Sequence, residues 1–199
     1  VKKPPLLRQK INRSWDNPAR TVFAGKGFET ATVDDIALAA GVAKGTIYLY
    51  YPSKREIYWA ALRAGVDDLY TATTRRVDAA DSVQDKIRAF IETKMEYCEI
   101  HYDFFRIYYS AATDVLSHPP ERLEVTELYQ QQLELLERTF DTARSRGENR
   151  AVDGAKLAVA IFEITRGLII QRLLGRTVGD IREDVDFAVG LIWTGVGPT

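Results

Sequence analysis

The chain has 199 residues, of which 46% are hydrophobic and 28% charged, with a net charge of −1. That apolar content is enough to form a buried core without cross-links, and the single cysteine, Cys98, excludes an internal disulfide. No apolar run approaches the roughly 18 residues of a membrane span and no leader-like segment opens the sequence, so we expect a cytosolic protein.

The charge is distributed unevenly along the chain. Residues 1–60 contain ten Lys or Arg and five acidic residues, a net charge of +5, which leaves −6 for the remainder. Such asymmetry is typical of proteins in which one segment meets a polyphosphate and the other does not. The first third is therefore the candidate nucleic-acid-binding segment.

The apolar residues recur at spacings of three and four, without the alternation of strands and without a long repeat. This pattern predicts an all-α fold of about nine helices. We expect a three-helix head in residues 1–54 and a larger helical bundle in residues 55–199.

The first helix is predicted from about Asn17 to a break at Gly27. Pro18 suits the first position of a helix and bends a longer one. We expect an earlier helical segment, Leu7 to Trp15, to join the first helix at a bend there.

Two short helices follow. Thr32 precedes acidic residues and is placed to cap a helix that runs to Ala40. Gly41 begins a tight turn, and a second short helix covers residues 44–50 before Pro52 stops it. Two helices joined by such a turn form a helix-turn-helix, whose second helix enters the major groove of DNA.

The same segment resembles the tetracycline-repressor family of regulators. The resemblance is carried by residues 28–37, FETATVDDIA, and 40–54, AGVAKGTIYLYYPSK, and extends over about residues 19–60. It implies a dimeric regulator, with a DNA-binding head and a divergent helical body for a small effector. Pro18 and Trp15 depart from the smooth first helix of the family.

The resemblance implies which residues meet DNA. The helix and turn residues expected to line the DNA are Lys44, Gly45, Thr46, Tyr48 and Tyr50, and those expected at phosphates are Thr32 and Lys54. Their chemistry agrees, since glycine lets the backbone approach and hydroxyl and ammonium groups bind phosphates or base edges. The alternative for each tyrosine is a ring packed in the core.

Further helices are predicted near 53–76, 83–101, 103–115, 119–146, 154–174 and 181–196. Their limits are set by capping side chains and by glycines, notably Ser53, Ser117, Gly147, Asp153, Gly175 and Asp180. The two C-terminal helices are apolar on more than one face, which predicts a four-helix bundle with a second copy. The predicted dimer residues are Ile169, Leu173, Phe187, Leu191 and Trp193, and a two-fold dimer requires a near-palindromic operator.

Aromatic residues crowd the middle of the chain and could line a pocket for an apolar or amphipathic effector. The candidates are Phe90, Tyr97, Phe105, Tyr108, Phe162 and Arg166. Arg166 is a lone charge in an apolar helix and could pair with an acidic effector, or it could lie at the surface or pair with a glutamate. The alternative for the aromatic residues is an ordinary core.

No metal, cofactor or catalytic site is predicted. Cys98 and His101 are one turn apart, but Asp103 and His118 are the available additions and make a poor ligand set. The sequence contains neither a phosphate-binding glycine loop nor a Ser-His-Asp pattern. The leading hypothesis is a dimeric repressor that a ligand releases from DNA; the alternatives are an effector-independent regulator or activator and a helical enzyme.

Overall fold

A computed structural model describes the backbone of residues 5–114, 122–147 and 153–196, and the side chains of residues 17–110, 129–147 and 153–195. Over this part of the chain every regular element is an α-helix, which confirms the predicted all-α class. The nine helices of the described ranges are α1 Pro5–Thr30, α2 Val33–Ala39, α3 Lys44–Tyr48, α4 Lys54–Ala79, α5 Val83–Ile100, α6 Tyr102–Asp114, α7 Arg122–Ser145, α8 Gly154–Leu173 and α9 Ile181–Val196.

The predicted start and stop signals are found where they were expected. Ser53 accepts a hydrogen bond from the Glu56 amide at 3.2 Å, and Asp153 accepts one from the Lys156 amide at 3.2 Å. Gly147 and Gly175 follow α7 and α8 with positive φ angles of 70° and 66°, the left-handed conformation that ends many helices. The predicted cap Ser117 lies outside the described residues.

The first helix includes the earlier segment that we expected to join it, and the bend expected at Pro18 stays a prediction. α1 begins at Pro5 and continues through Pro18, so the two expected segments form one element. The backbone leaves helical geometry at Gly27, with φ 75° and ψ 162°. Glycine adopts this conformation without the steric cost that a side chain would add, and the break predicted at Gly27 is confirmed.

The chain divides into two compact units. The first contains α1, α2, α3, α4 up to Asp67, and α6 from Asp103; the second contains the rest of α4 with α5, α7, α8 and α9. The boundary expected between residues 54 and 55, between the DNA-binding head and the effector-binding and dimerisation bundle, stays a prediction.

The first unit has a small apolar core beneath the two short helices. Ile36 and Ile47, from α2 and α3, are fully buried, together with Phe23 of α1. The Phe23 ring meets the Tyr58 ring edge to face at 5.1 Å, an arrangement that aromatic quadrupoles favour. α2 thus packs on α1 and α3, and the ring contact joins α1 to α4.

The second unit is a helical bundle in which α7 packs on α8 and α5 packs on α9, α8 and α7. Its core includes Ile87, Ile91, Leu136, Ile161 and Val185, all buried. None of the helices in the described ranges has the length and apolarity required to cross a bilayer.

Candidate nucleic-acid interface

Thr32 and Asp35 fix the start of α2 by capping each other. The Asp35 amide donates to Thr32 Oγ1 at 3.1 Å, and the Thr32 amide donates to Asp35 Oδ2 at 3.0 Å. Hydrogen bonds from Lys26 and then from Thr32 lower the pKa of Asp35 to about 2. This reciprocal cap satisfies the exposed amides at the helix end.

The turn between α2 and α3 depends on Gly41, whose φ is +66°. The Val42 amide then donates to the Ala37 carbonyl at 3.0 Å, which closes the turn against α2. The two helices of the predicted helix-turn-helix are therefore present, joined by a glycine turn and anchored by Ile36 and Ile47.

α3 exposes most of the side chains that were predicted to meet DNA. Lys44 and Gly45 are exposed, and a Cβ added to Gly45 would have no neighbour within 4 Å. Tyr48 is 46% exposed, while Thr46 and Tyr50 are half-buried. The surface of α3 combines one cation, a bare stretch of backbone and a phenol, a chemistry suited to phosphates and groove edges.

Lys44 is paired within the free protein. Its ammonium donates to Asp34 Oδ2 of α2 at 2.7 Å, and both side chains are exposed. This hydrogen bond raises the pKa of Lys44 above its ordinary value. Because the pair is exposed, a phosphate can compete for the ammonium at little cost.

Lys54 lies at the carboxyl end of α1. Its ammonium donates to the carbonyls of Phe28, Glu29 and Ala31 at 2.6, 3.0 and 3.0 Å. It also lies 4.6 Å from the centre of the Phe28 ring. An ammonium has three N–H donors, so all three are directed at backbone oxygens, and a phosphate contact by Lys54 would have to share them.

The fold and this surface define a class of protein, the helix-turn-helix DNA-binding proteins with a helical body. Residues 18–61 match the family model described as bacterial regulatory proteins, tetR family. Over these residues the chain is similar to the helix-turn-helix head of this family.

Two curated relatives match about half of the chain. The transcriptional activator FasR of Mycolicibacterium smegmatis is 28% identical over 107 residues, 54% of this chain and 48% of its own length. The transcriptional repressor KstR2 of Mycobacterium tuberculosis is 30% identical over 101 residues, 51% of this chain and 50% of its own length. The matches thus span about half the length of these relatives.

The fold resembles solved structures over nearly the whole chain. The regulator FadR of Bacillus subtilis, in complex with stearoyl-CoA, is similar with a TM-score of 0.79 at 19% identity, over 92% of this chain and 98% of that one. A transcriptional regulator from Saccharomonospora viridis, in complex with choline, has a TM-score of 0.83 at 20% identity, over 96% and 100%. At these identities the likeness concerns the fold.

The predicted effector residues are divided between the two units. Phe105 and Tyr108 belong to the first, and Phe90, Tyr97, Phe162 and Arg166 to the second. Within the second unit, Phe90 and Phe162 share a neighbour that sequence reasoning missed, the ammonium of Lys94, at 4.5 and 4.1 Å from their ring centres. The Tyr97 ring lies 4.1 Å from that of His101.

Arg166 lies on the surface. Its Nε donates to Glu163 Oε2 at 2.7 Å, and its side chain is exposed. The structure therefore shows the alternative to an effector contact, an exposed arginine paired with a glutamate. The effector role of the full set stays a prediction.

The predicted dimer residues are placed differently on α8 and α9. Phe187 and Leu191 of α9 are 69% and 58% exposed and one turn apart. Leu173 and Trp193 are half-buried, whereas Ile169 is buried within its own unit. α9 thus presents large apolar side chains to solvent, and Ile169 faces inward because α8 packs on α5 and α7.

The residues considered for a metal do not form a ligand set in the described ranges. Cys98 is buried, and burial raises the pKa of its thiol to about 11, which disfavours the thiolate that binds metals. Among the described residues no group of three His, Cys, Asp or Glu side chains could hold a metal ion. His118 lies outside them.

Proposed function

We propose that this chain is a dimeric transcriptional repressor of the bacterial cytoplasm, which binds a near-palindromic operator through α3 and leaves it when a small apolar or amphipathic effector binds. One observation carries the proposal. α3 exposes Lys44, Gly45 and Tyr48 on a short helix that is anchored by the buried Ile47 and follows a capped α2.

The contacts divide by chemistry. Lys44 supplies a charge-assisted contact, Tyr48 a hydroxyl donor for a phosphate oxygen, and Thr46 a methyl and a hydroxyl for a base edge. Gly45 lets the backbone approach the groove. Since α3 contains neither Arg nor Asn, much of the specificity must come from methyl contacts and from DNA shape.

The dimer is supported by the exposed apolar face of α9. Phe187 and Leu191 are too large and too close together to be typical isolated surface residues. A two-fold dimer presents two copies of α3 to two half-sites, which accounts for the near-palindromic operator that we propose.

The names of the relatives bear on whether the protein represses or activates transcription. KstR2 is named a repressor and FasR an activator, so activation is the second candidate. The structural neighbour from Bacillus subtilis was solved with stearoyl-CoA, and it supports control by a small effector. The relatives reported above are named as regulators rather than enzymes.

Footprinting of the purified protein on its genomic DNA tests the proposal. We expect a protected site with two related half-sites, located over or beside a promoter. Transcription from that promoter in vitro should fall when the protein is added. A rise in transcription would favour activation, and no protected site would contradict the proposal.

A further inference from the structure

Lys94 lies in the core of the second unit, where a charged side chain is unusual. It is 5% exposed, on α5, between the rings of Phe90 and Phe162 at 4.5 and 4.1 Å. Two ring faces attract a cation, but they accept none of its three hydrogen bonds. No carboxylate pairs with this ammonium among the side chains that the structure describes.

Gln132 of α7 is a second buried polar group, and the described residues provide it with no hydrogen-bond partner. Its side chain is 3% exposed, and neither its Nε2 nor its Oε1 has a hydrogen-bond partner in the described part of the chain. A buried amide left without hydrogen bonds costs about 1–3 kcal/mol, so native structures rarely keep one without a purpose.

Both groups belong to one cluster of helices. The Tyr129 ring lies 4.7 Å from that of Phe162, and Gln132 is one turn after Tyr129 on α7. Residues three apart on a helix share a face, so Gln132 is on the side of α7 that faces α8. α5, α7 and α8 pack on one another, so Lys94 and Gln132 lie on helices that both contact the Phe162 side of α8.

We propose that Lys94 and Gln132 recognise the head group of the effector, and that the effector is an organic monocarboxylate with an apolar body. This inference rests on the proposed function, in which a small apolar or amphipathic effector binds the protein, and it assigns that effector to the second unit. A carboxylate has two oxygens, one for the Lys94 ammonium and one for the Gln132 amide hydrogens, while the aromatic rings contact the apolar body.

Other head groups fit the cluster less well. A cationic ligand would be repelled by Lys94. A doubly charged phosphate would need a second cation, and the nearby Arg166 is exposed and bound to Glu163. An alcohol would satisfy hydrogen bonds and leave the buried charge without a counter-ion.

Calorimetry with matched probes on the full chain tests this assignment. The probes are octanoate, decanoate and phenylbutanoate, each compared with the alcohol of the same carbon skeleton. We expect at least one acid to bind more tightly than its alcohol. Lys94→Met should weaken that acid by about tenfold or more without weakening the alcohol, since a hydrogen bond to a charged group is lost.

Two further variants complete the test. Gln132→Met should weaken the acid severalfold, and Lys156→Met, which removes an exposed lysine of α8, should leave it unchanged. Circular dichroism verifies that each variant is folded. The proposal is overturned if no acid binds, or if acid and alcohol bind with equal affinity. It is also overturned if Lys94→Met binds the acid as tightly as the unaltered chain does.

The outcome is separable from that of the proposed function. Operator binding is measured on the same proteins without probe, and Lys94→Met should bind the operator as the unaltered chain does. If an acid binds through Lys94 and does not release the operator, the repressor mechanism is wrong and the carboxylate site stands. If the operator binds and no acid does, the carboxylate site is wrong.

Discussion

In the second unit the buried charge that we propose for effector recognition is on Lys94, whereas the sequence pointed to Arg166. Arg166 stands out because its helix is otherwise apolar, yet it lies at the surface beside Glu163. Lys94 was hidden among the charged residues of α5, although it lies on the stripe that contains Ile87, Ile91 and Cys98, all buried. Apolar spacing could have identified Lys94, and helical spacing places Phe90 one turn before it. The second aromatic neighbour, Phe162, comes from α8 and could not be read from sequence.

Lys94 should make the stability of the protein depend on pH. Burial lowers its pKa from 10.5 to about 7 in the folded chain, whereas the unfolded chain keeps the ordinary value. Between about pH 7 and 10.5 the unfolded state therefore binds more protons, and stability rises with pH. We predict that the free energy of unfolding of the unaltered chain rises by up to about 1.4 kcal/mol per pH unit in this range because of Lys94. The Lys94→Met variant should lack this contribution.

Denaturant unfolding at several pH values from 7 to 9 measures this slope, because other groups titrate alike in both proteins. Lys94→Met should also be the more stable protein near pH 7, where it removes an unpaired buried charge. Parallel stability curves for the two proteins would contradict the burial of a charged Lys94.

Asp34 should restrain DNA binding by holding Lys44. Its carboxylate lies 2.7 Å from the Lys44 ammonium and adds a negative charge beside α3. We predict that Asp34→Asn strengthens operator binding by up to about fivefold at low salt, the scale of one exposed ion pair. Anisotropy titrations of a labelled operator measure the change. Asp68→Asn, an exposed acid outside the head, is the control, and a weaker complex with Asp34→Asn would refute the idea.

Helix limits were the most predictable elements, because they depend on single residues with local physical effects. Asp153 and Ser53 cap their helices, and Gly147 and Gly175 follow theirs in the left-handed conformation, as the sequence indicates. The continuous α1 was less predictable. Proline lowers helix propensity locally, and sequence alone does not show what sustains the helix through Pro18.

Lys54 of α4 contacts the end of α1, and local sequence signals do not reveal this contact. It was expected at a phosphate, and its ammonium donates to three carbonyls at the end of α1. We predict that Lys54→Met lowers the stability of the head by about 1–3 kcal/mol, since charge-assisted bonds at a helix end are lost.

Thermal unfolding followed by circular dichroism measures the effect. Lys156→Met serves as the control, because Lys156 is exposed and pairs only with its neighbour Asp153 in the described structure. If Lys54 acts at a phosphate alone, the melting temperature of Lys54→Met should not change while its operator affinity falls. That result would contradict the structural role.

At the scale of the whole molecule, the sequence predicts the class of fold and the order of the helices well. The grouping of the helices is harder. α6 lies in the unit that contains the helix-turn-helix, and Tyr58 of α4 donates to the Ile107 carbonyl of α6 at 3.2 Å. Such a contact joins residues far apart in the chain, and helical periodicity carries no information about it.

The exposed face of α9 should hold two copies of the chain together. Phe187→Asp places a charge where an apolar interface is proposed, and burying it there would cost several kcal/mol. We predict monomers in sedimentation-velocity experiments with this variant. Val178→Asp, at an exposed apolar residue before α9, should remain dimeric. A stable Phe187→Asp dimer would show that another surface forms the interface.

The most direct test of the account is the operator affinity of two α3 variants. Tyr48→Ala and Lys44→Ala should each weaken operator binding by about tenfold. Lys44→Ala should also reduce the slope of log affinity against log salt concentration by about one. Their controls are Tyr102→Ala, a tyrosine of similar exposure at 44%, and Lys156→Ala. All four should melt within a few degrees of the unaltered chain. Unchanged affinity in both α3 variants would contradict DNA binding through α3.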